Sequence, residues 1–209
     1  MTFNNIMYMI SKNEYEKFNK SLLNFKFLID RFIFENQAVK NSMFVNDKRN
    51  FPFYYFIGKN TLEITDVAQI GLCGGYNLGM YLTGNNNIKN VYIYDDKKNN
   101  NLLRLTRNNL SKFNFAKKNY YNSYTDFTNS IKQNKVKLFF INDKDFIEKN
   151  INEILSLFVD LNELQILLFD NIIDLGKDFE NHIVNYCSLR NIAFQKYNKR
   201  NEAIIIRKN

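Results

Sequence analysis

The chain contains no tryptophan, one proline (Pro52), one histidine (His182), two cysteines and only seven glycines among its 209 residues. Each scarcity removes a class of protein. Cys73 and Cys187 are too few for a disulfide framework, and without a CxxC pair or a histidine cluster no zinc signature exists. A reducing compartment is therefore expected, whether cytoplasm, virus or phage, or organelle matrix. No run approaches the ~18 apolar residues of a membrane span, the longest candidate being Phe51 to Ile57. Met1 to Ile10 has neither a basic start nor an apolar stretch, so a secretory signal is not expected.

Asparagine is the commonest residue, and lysine, isoleucine, phenylalanine and tyrosine are abundant too, a bias of the kind an AT-rich genome imposes. Single asparagines and lysines are weak signals against that background. The same caution applies to the net charge of +8 and the pI near 9.3. A basic protein gains affinity for phosphates by releasing counterions. No aromatic-basic RNA-recognition pattern is present, so nucleic-acid contact stands as the alternative to a solvated basic surface.

The few glycines are concentrated. Four of the seven fall between Gly71 and Gly79, where Thr65 to Gly79 reads as a short buried strand, a glycine turn and a helix. Glycines at Gly71, Gly74 and Gly75 let a backbone turn sharply and let a ligand approach the main chain. About twenty residues on, a second apolar strand, Val91 to Tyr94, ends in Asp95-Asp96. An acid at that place in a doubly wound sheet can grip the ribose hydroxyls of a nucleotide-like cofactor. The alternatives are structural: a tight turn for the glycines, and a helix cap for Asp95.

Strand and helix then alternate. The expected strands are 66–71, 91–95, 118–121, 136–142 and 164–169, and the expected helices are 75–83, 98–112, 124–133, 146–158 and 177–190. Ile192 to Tyr197 and Ala203 to Arg207, joined by the polar turn Asn198 to Asn201, can only pair antiparallel. The fold class is α/β: a doubly wound, mostly parallel, seven-stranded sheet of Rossmann-like type closed by an antiparallel C-terminal hairpin. Residues 60–209 form that domain. Residues 1–59 precede it, with a capping box at Ser11 to Glu14, a dense apolar stretch from Leu22 to Phe34, and a break at Pro52. The aromatic run Phe51, Phe53, Tyr54, Tyr55 and Phe56 reads as a substrate lid, or as a packing or partner-contact segment in a larger protein assembly.

This order of elements resembles the class I S-adenosylmethionine-dependent methyltransferases. Leu138 to Asp145 is similar to the strand and loop of their small-molecule O-methyltransferases. Ile166 to Ile172 is similar to the strand ending in Asp-Asn or Asp-Asp, and Phe194 to Ile206 to the closing hairpin. The resemblance implies the spatial strand order 3-2-1-4-5-7-6, with S-adenosylmethionine as cofactor. It places the ribose at Asp95, the amino-acid end over Gly71, Gly74 and Gly75, and the adenine near Asn122 and Ser123. Asp170 and Asn171, with Asp143 as a further candidate, would orient a small-molecule or sugar acceptor.

Several residues depart from the family pattern. Gln69 stands where an acid commonly precedes the first glycine, and Cys73 where the middle glycine would be. Asn142 replaces the first carboxylate of the catechol-type magnesium site, so no complete metal site is expected; magnesium favours charged oxygen ligands. Two functions follow. One is O-methyl transfer. The other is a catalytically silent methyltransferase-like subunit of a larger assembly, a nucleoprotein among the options.

Overall fold

The computed structural model describes residues 51–95, 100–170, 172, 175–197 and 203–208. The expected capping box, the 22–34 apolar stretch, Asp96, Asn171 and the turn 198–201 lie outside the described residues.

The first described element, α1 (Phe51–Lys59), carries Pro52 as its second residue. The sequence reading took this proline as a break. It sits instead in a helix first turn, where its missing N–H has no intrahelical partner to lose. The element order continues as β1 (Asp66–Ile70), a 3-10 turn (Cys73–Gly75), α2 (Tyr76–Gly84), β2 (Asn90–Tyr94), α3 (Asn100–Leu110), β3 (Lys117–Tyr121), α4 (Tyr124–Gln133) and β4 (Leu138–Ile141). It closes with α5 (Lys144–Asp160), β5 (Ile166–Phe169), α6 (Gly176–Leu189), β6 (Ala193–Tyr197) and β7 (Ala203–Arg207).

The chain divides into two compact units. One gathers Glu63–Leu72, Asn87–Asn100 and Asn114–Asn209 and holds the entire sheet. Its seven strands run in the order β3-β2-β1-β4-β5-β7-β6. Pairing is parallel from β3 through β5, and β7 is antiparallel to both of its neighbours. The expected order and the antiparallel hairpin are both present.

Why these segments make strands follows from burial. On one sheet face, Ala68, Ile70, Tyr92, Tyr94, Phe139, Ile141, Leu167, Phe169, Ile204 and Ile206 join a core with Phe127 and Ile131 of α4, Phe146 to Phe158 of α5, and Ile183 and Cys187 of α6. Residues of the other face, such as Val67, Val91, Phe140 and Leu168, are buried as well. Burial on both faces is why Leu138–Ile141 and Ile166–Phe169 are unbroken apolar runs. The edge strand β3 reads KKNYY and opens with two lysines, Lys117 exposed and Lys118 half-buried, charges that discourage pairing with another chain.

The second unit contains residues 51–62 with Cys73–Asn86 and Asn101–Phe113. Phe53, Tyr54 and Ile57 of α1 are buried in it. Thr61 caps the end of this helix by donating to the Ile57 carbonyl at 2.8 Å, and its hydroxyl pairs with that of Tyr81 at 3.0 Å. Asn85 Nδ2 donates to the Thr61 carbonyl at 2.6 Å. The described part of the aromatic run is thus at least partly a packing element.

Candidate functional site

Parallel register brings five strand ends to one level. Ile70 pairs with Tyr94 and Ile141, Tyr94 with Tyr121, and Ile141 with Phe169. The next residue on each strand therefore emerges into one row, in the order Asn122, Asp95, Gly71, Asn142, Asp170. Backbone bonds extend the ladder into that row: Gly71 N–H to the Tyr94 carbonyl (3.0 Å), Asn142 N–H to Ile70 (2.9 Å) and Asp170 N–H to Ile141 (2.9 Å). At about 4.8 Å between strands the row is roughly 19 Å long. Ligands of open α/β sheets gather at such carboxyl ends. The residues singled out from sequence as Gly71, Asp95, Asn122 and Asp170 stand together there. Asn171 lies outside the described residues.

The members differ in exposure. Asp170 is only 2% exposed, Asp95 is half-buried, and Asn122 is exposed. Ser123 beside it caps α4, its oxygen accepting from Asp126 N–H at 3.3 Å. Asp143 is buried and caps α5, accepting from Phe146 N–H at 3.1 Å.

The glycine turn follows β1. Gly71 has φ +86, and a Cβ built on it would run into the backbone carbonyl of Asn142. Glycine is required here by the close passage of the chain leaving β4. Beside it, Gln69 is 2% exposed and donates through Nε2 to the Gly71 carbonyl. Its Oε1 finds no hydrogen-bond partner among the described residues.

Gly74 and Gly75 also have positive φ, +63 and +76. Within their own unit, α3 holds them: Asn109 Nδ2 donates to the Gly74 carbonyl at 2.7 Å, and a Cβ on Gly75 would press on Leu110 and Thr106. The sequence reading missed Asn109. Its only signal is a polar residue on the inward face of an amphipathic helix, which an asparagine-rich chain obscures.

The reading also missed an aromatic cluster behind the row. The Tyr94 ring lies 5.5 Å from Tyr124 and 5.9 Å from Phe146, and Tyr124 meets Phe146 edge-on at 5.1 Å. The buried Tyr124 hydroxyl has no hydrogen-bond partner among the described residues. Burial, then the nearby Glu153 and Tyr94, push its pKa up. Tyr92, further back on β2, is pushed up to about 12, mainly by burial and then by Asp66. His182 is exposed on α6.

A cleft of about 510 Å³ lies elsewhere, between α6 and β6, lined by residues including Cys187, Ala193 and Phe194. Ala193 pairs with Arg207, which pairs with Ile166 at the start of β5. The cleft therefore sits toward the opposite end of the sheet from Asp170. Burial raises the Cys187 thiol to about 11, which keeps it protonated and unreactive at neutral pH.

No protein-family profile and no curated protein matches this sequence. Solved structures do match. An O-methyltransferase from Bacillus cereus, in complex with S-adenosylhomocysteine, superposes with TM-score 0.61 at 13% identity over 86% of this chain and 90% of its own. The O-methyltransferase of tomaymycin synthesis from Streptomyces achromogenes, in complex with S-adenosylmethionine, gives 0.62 at 8% identity over 94% and 99%. The fold is that of the class I methyltransferases. A third structure, a methyltransferase from Podospora anserina bound to S-adenosylhomocysteine, gives 0.56 at 13% identity over 77% and 78%. At such identities the likeness speaks for the methyltransferase fold alone.

The residues present fit the cofactor for which this fold is named. Asp95 follows β2 at the carboxyl end of the sheet, and Gln69 Oε1 beside Gly71 is a buried acceptor with no hydrogen-bond partner among the described residues. They do not fit the catechol-type magnesium set. Asn142 offers an amide where a carboxylate is needed, and one oxygen of Asp143 is committed to the α5 cap.

Proposed function

We propose that this protein is an S-adenosylmethionine-dependent methyltransferase acting on a hydroxyl of a small molecule or sugar, without a divalent metal. The single observation behind this reading is the row Asn122, Asp95, Gly71, Asn142, Asp170 at the carboxyl ends of five adjacent strands. The cofactor supplies an electrophilic methyl group on a sulfonium. Asp95 accepts hydrogen bonds from the ribose hydroxyls, while Asn122 stands at the strand end nearest the adenine. Gly71, the glycine of the row, admits the amino-acid end, and Gln69 Oε1 takes one of its N–H donors in place of the usual carboxylate.

Asp170 then orients the acceptor hydroxyl and removes its proton as general base, with Asn171 beside it in sequence. Burial of Asp170 keeps water away from that proton transfer. Methyl transfer is an in-line displacement, so holding acceptor and methyl group in line supplies much of the remaining acceleration. A second reading, a methyltransferase-like subunit without chemistry, is favoured by one specific observation: Gln69 replaces the acid that would attract a cationic ligand.

Transfer of labelled methyl groups from S-adenosylmethionine to a panel of catechols, phenols and sugars, in the presence of chelator, tests the reading. Wild type is expected to transfer, and Asp170→Asn to be slower by about 100-fold or more, the usual contribution of a general base. Transfer that depends on magnesium contradicts the metal-free mechanism. Absence of transfer to every acceptor, despite cofactor binding, favours the second reading.

A further inference from the structure

The net charge of +8 is not spread evenly. From Lys97 through Thr125 the sequence holds seven lysines and arginines and no acid. In the unit built from α1, α2 and α3, the charged side chains among the described residues are Lys59, Arg104, Arg107 and Lys112, all basic. Three of these belong to α3 and the turn that ends it. There Thr106, Asn109 and Leu110 face inward and are buried, while Arg104, Arg107, Asn108, Ser111 and Lys112 are exposed. Ser111 N–H still donates to the Arg107 carbonyl at 2.9 Å, so the helical course persists to the end of this face.

We infer that this face of α3 binds the phosphate backbone of a nucleic acid. An ordinary solvated helix mixes its charges, as α5 does with Lys144, Asp145, Glu148 and Lys149, including a Lys144–Glu148 pair at 3.8 Å. The exposed face of α3 has one sign only. Complementing the helix C-terminus accounts for Arg107 in the last turn but not for Arg104 a turn earlier. Lysine far outnumbers arginine in this chain, yet two arginines stand three residues apart here. Arginine is the side chain whose planar fork matches phosphate oxygens bidentately. Asn108 and Ser111 between the cations add polar groups of the kind that contact phosphate and sugar. From Arg104 to Lys112 the face runs about 12 Å, enough for several phosphates of a duplex, which carries one charge per ~1.7 Å of axis.

Fluorescence anisotropy with a labelled 20-base-pair DNA duplex and an RNA strand of matched length, at 50 to 200 mM salt, tests the inference. Three cations on phosphates give a slope of log K against log salt near −2.7 on duplex, an affinity loss of about 40-fold across that range. Replacing Arg104, Arg107 and Lys112 by glutamine is expected to reduce the slope magnitude by about 2.7. Replacing Lys132 and Lys135, exposed on and after α4, is expected to leave it unchanged. Arg104→Gln alone, with a loss of about 0.9 from the slope, serves if the triple variant fails to fold. The inference is overturned if the α3 variants leave the slope intact, or if the Lys132 and Lys135 variant lowers it equally. It is equally overturned if the wild type binds phosphatidylserine vesicles but neither nucleic acid.

Discussion

Replacing Gly71 by alanine separates two costs that usually travel together. The residue has φ +86, a conformation that costs an L-residue about 1–2 kcal/mol. Its added Cβ also meets the Asn142 carbonyl, with the Asn142 carbonyl carbon at 2.8 Å and Asp143 Cβ at 3.3 Å. These belong to the backbone leaving β4 and to a capping residue, so they yield poorly, at about 1–3 kcal/mol for overpacking. The sum is about 2–5 kcal/mol, against a total stability of about 5–15 kcal/mol for a typical domain. Gly176 is the internal control: it has φ +73, but a Cβ there meets none of the described residues within 4 Å. Gly176→Ala should cost only the conformational part, about 1–2 kcal/mol. Any entropic gain from stiffening the unfolded chain is shared by both variants and cancels in the comparison. Urea unfolding measures each, with the midpoint moving and the m-value constant. In thermal melts each kcal/mol corresponds to about 2–4 °C for a chain of this size. Equal losses at the two positions would refute the argument that Gly71 is held by the close approach of β4.

Asp143→Ala should cost about 1 kcal/mol and Asp143→Asn much less, because asparagine caps a helix as well as aspartate does; chemical denaturation of both variants checks the capping role. Burial raises the Cys187 thiol from 9.0 to about 11, so the unfolded chain loses this proton first as pH rises. The stability it contributes is complete below pH 9 and is lost between pH 9 and 11, by up to about 3 kcal/mol. Cys187→Ala should flatten the fall in urea midpoint between pH 9 and 10, before tyrosines such as Tyr92 join in; identical pH slopes would contradict the assignment.

What the sequence made legible follows from what it had to encode locally. Leu138–Ile141 and Ile166–Phe169 are buried on both faces, so their apolar runs announced central parallel strands. The glycine turn was visible because glycine is scarce elsewhere. Pro52 misled because a proline stops a helix and starts one with the same stiffness, and only the following residues decide which. Asn109 and the Gly74 carbonyl are 35 residues apart, a separation no local pattern reports. Asp143 reads from sequence as a candidate for orienting the acceptor, and the 3.1 Å bond from Phe146 N–H makes it the cap of α5, a partner the sequence alone does not single out. The Tyr94–Tyr124–Phe146 cluster joins β2, α4 and α5, and nothing in the spacing of those residues foretells it.

Isothermal calorimetry with S-adenosylhomocysteine, on wild type and Asp95→Ala side by side, tests the central claim most directly. The wild type is expected to bind one molecule per chain, with Asp95→Ala weaker by about 10- to 100-fold through loss of a charge-assisted hydrogen bond worth roughly 1.5–3 kcal/mol. No detectable binding by the wild type, or equal affinity in the two proteins, would contradict the claim that the strand-end row from Asn122 to Asp170 is a cofactor site.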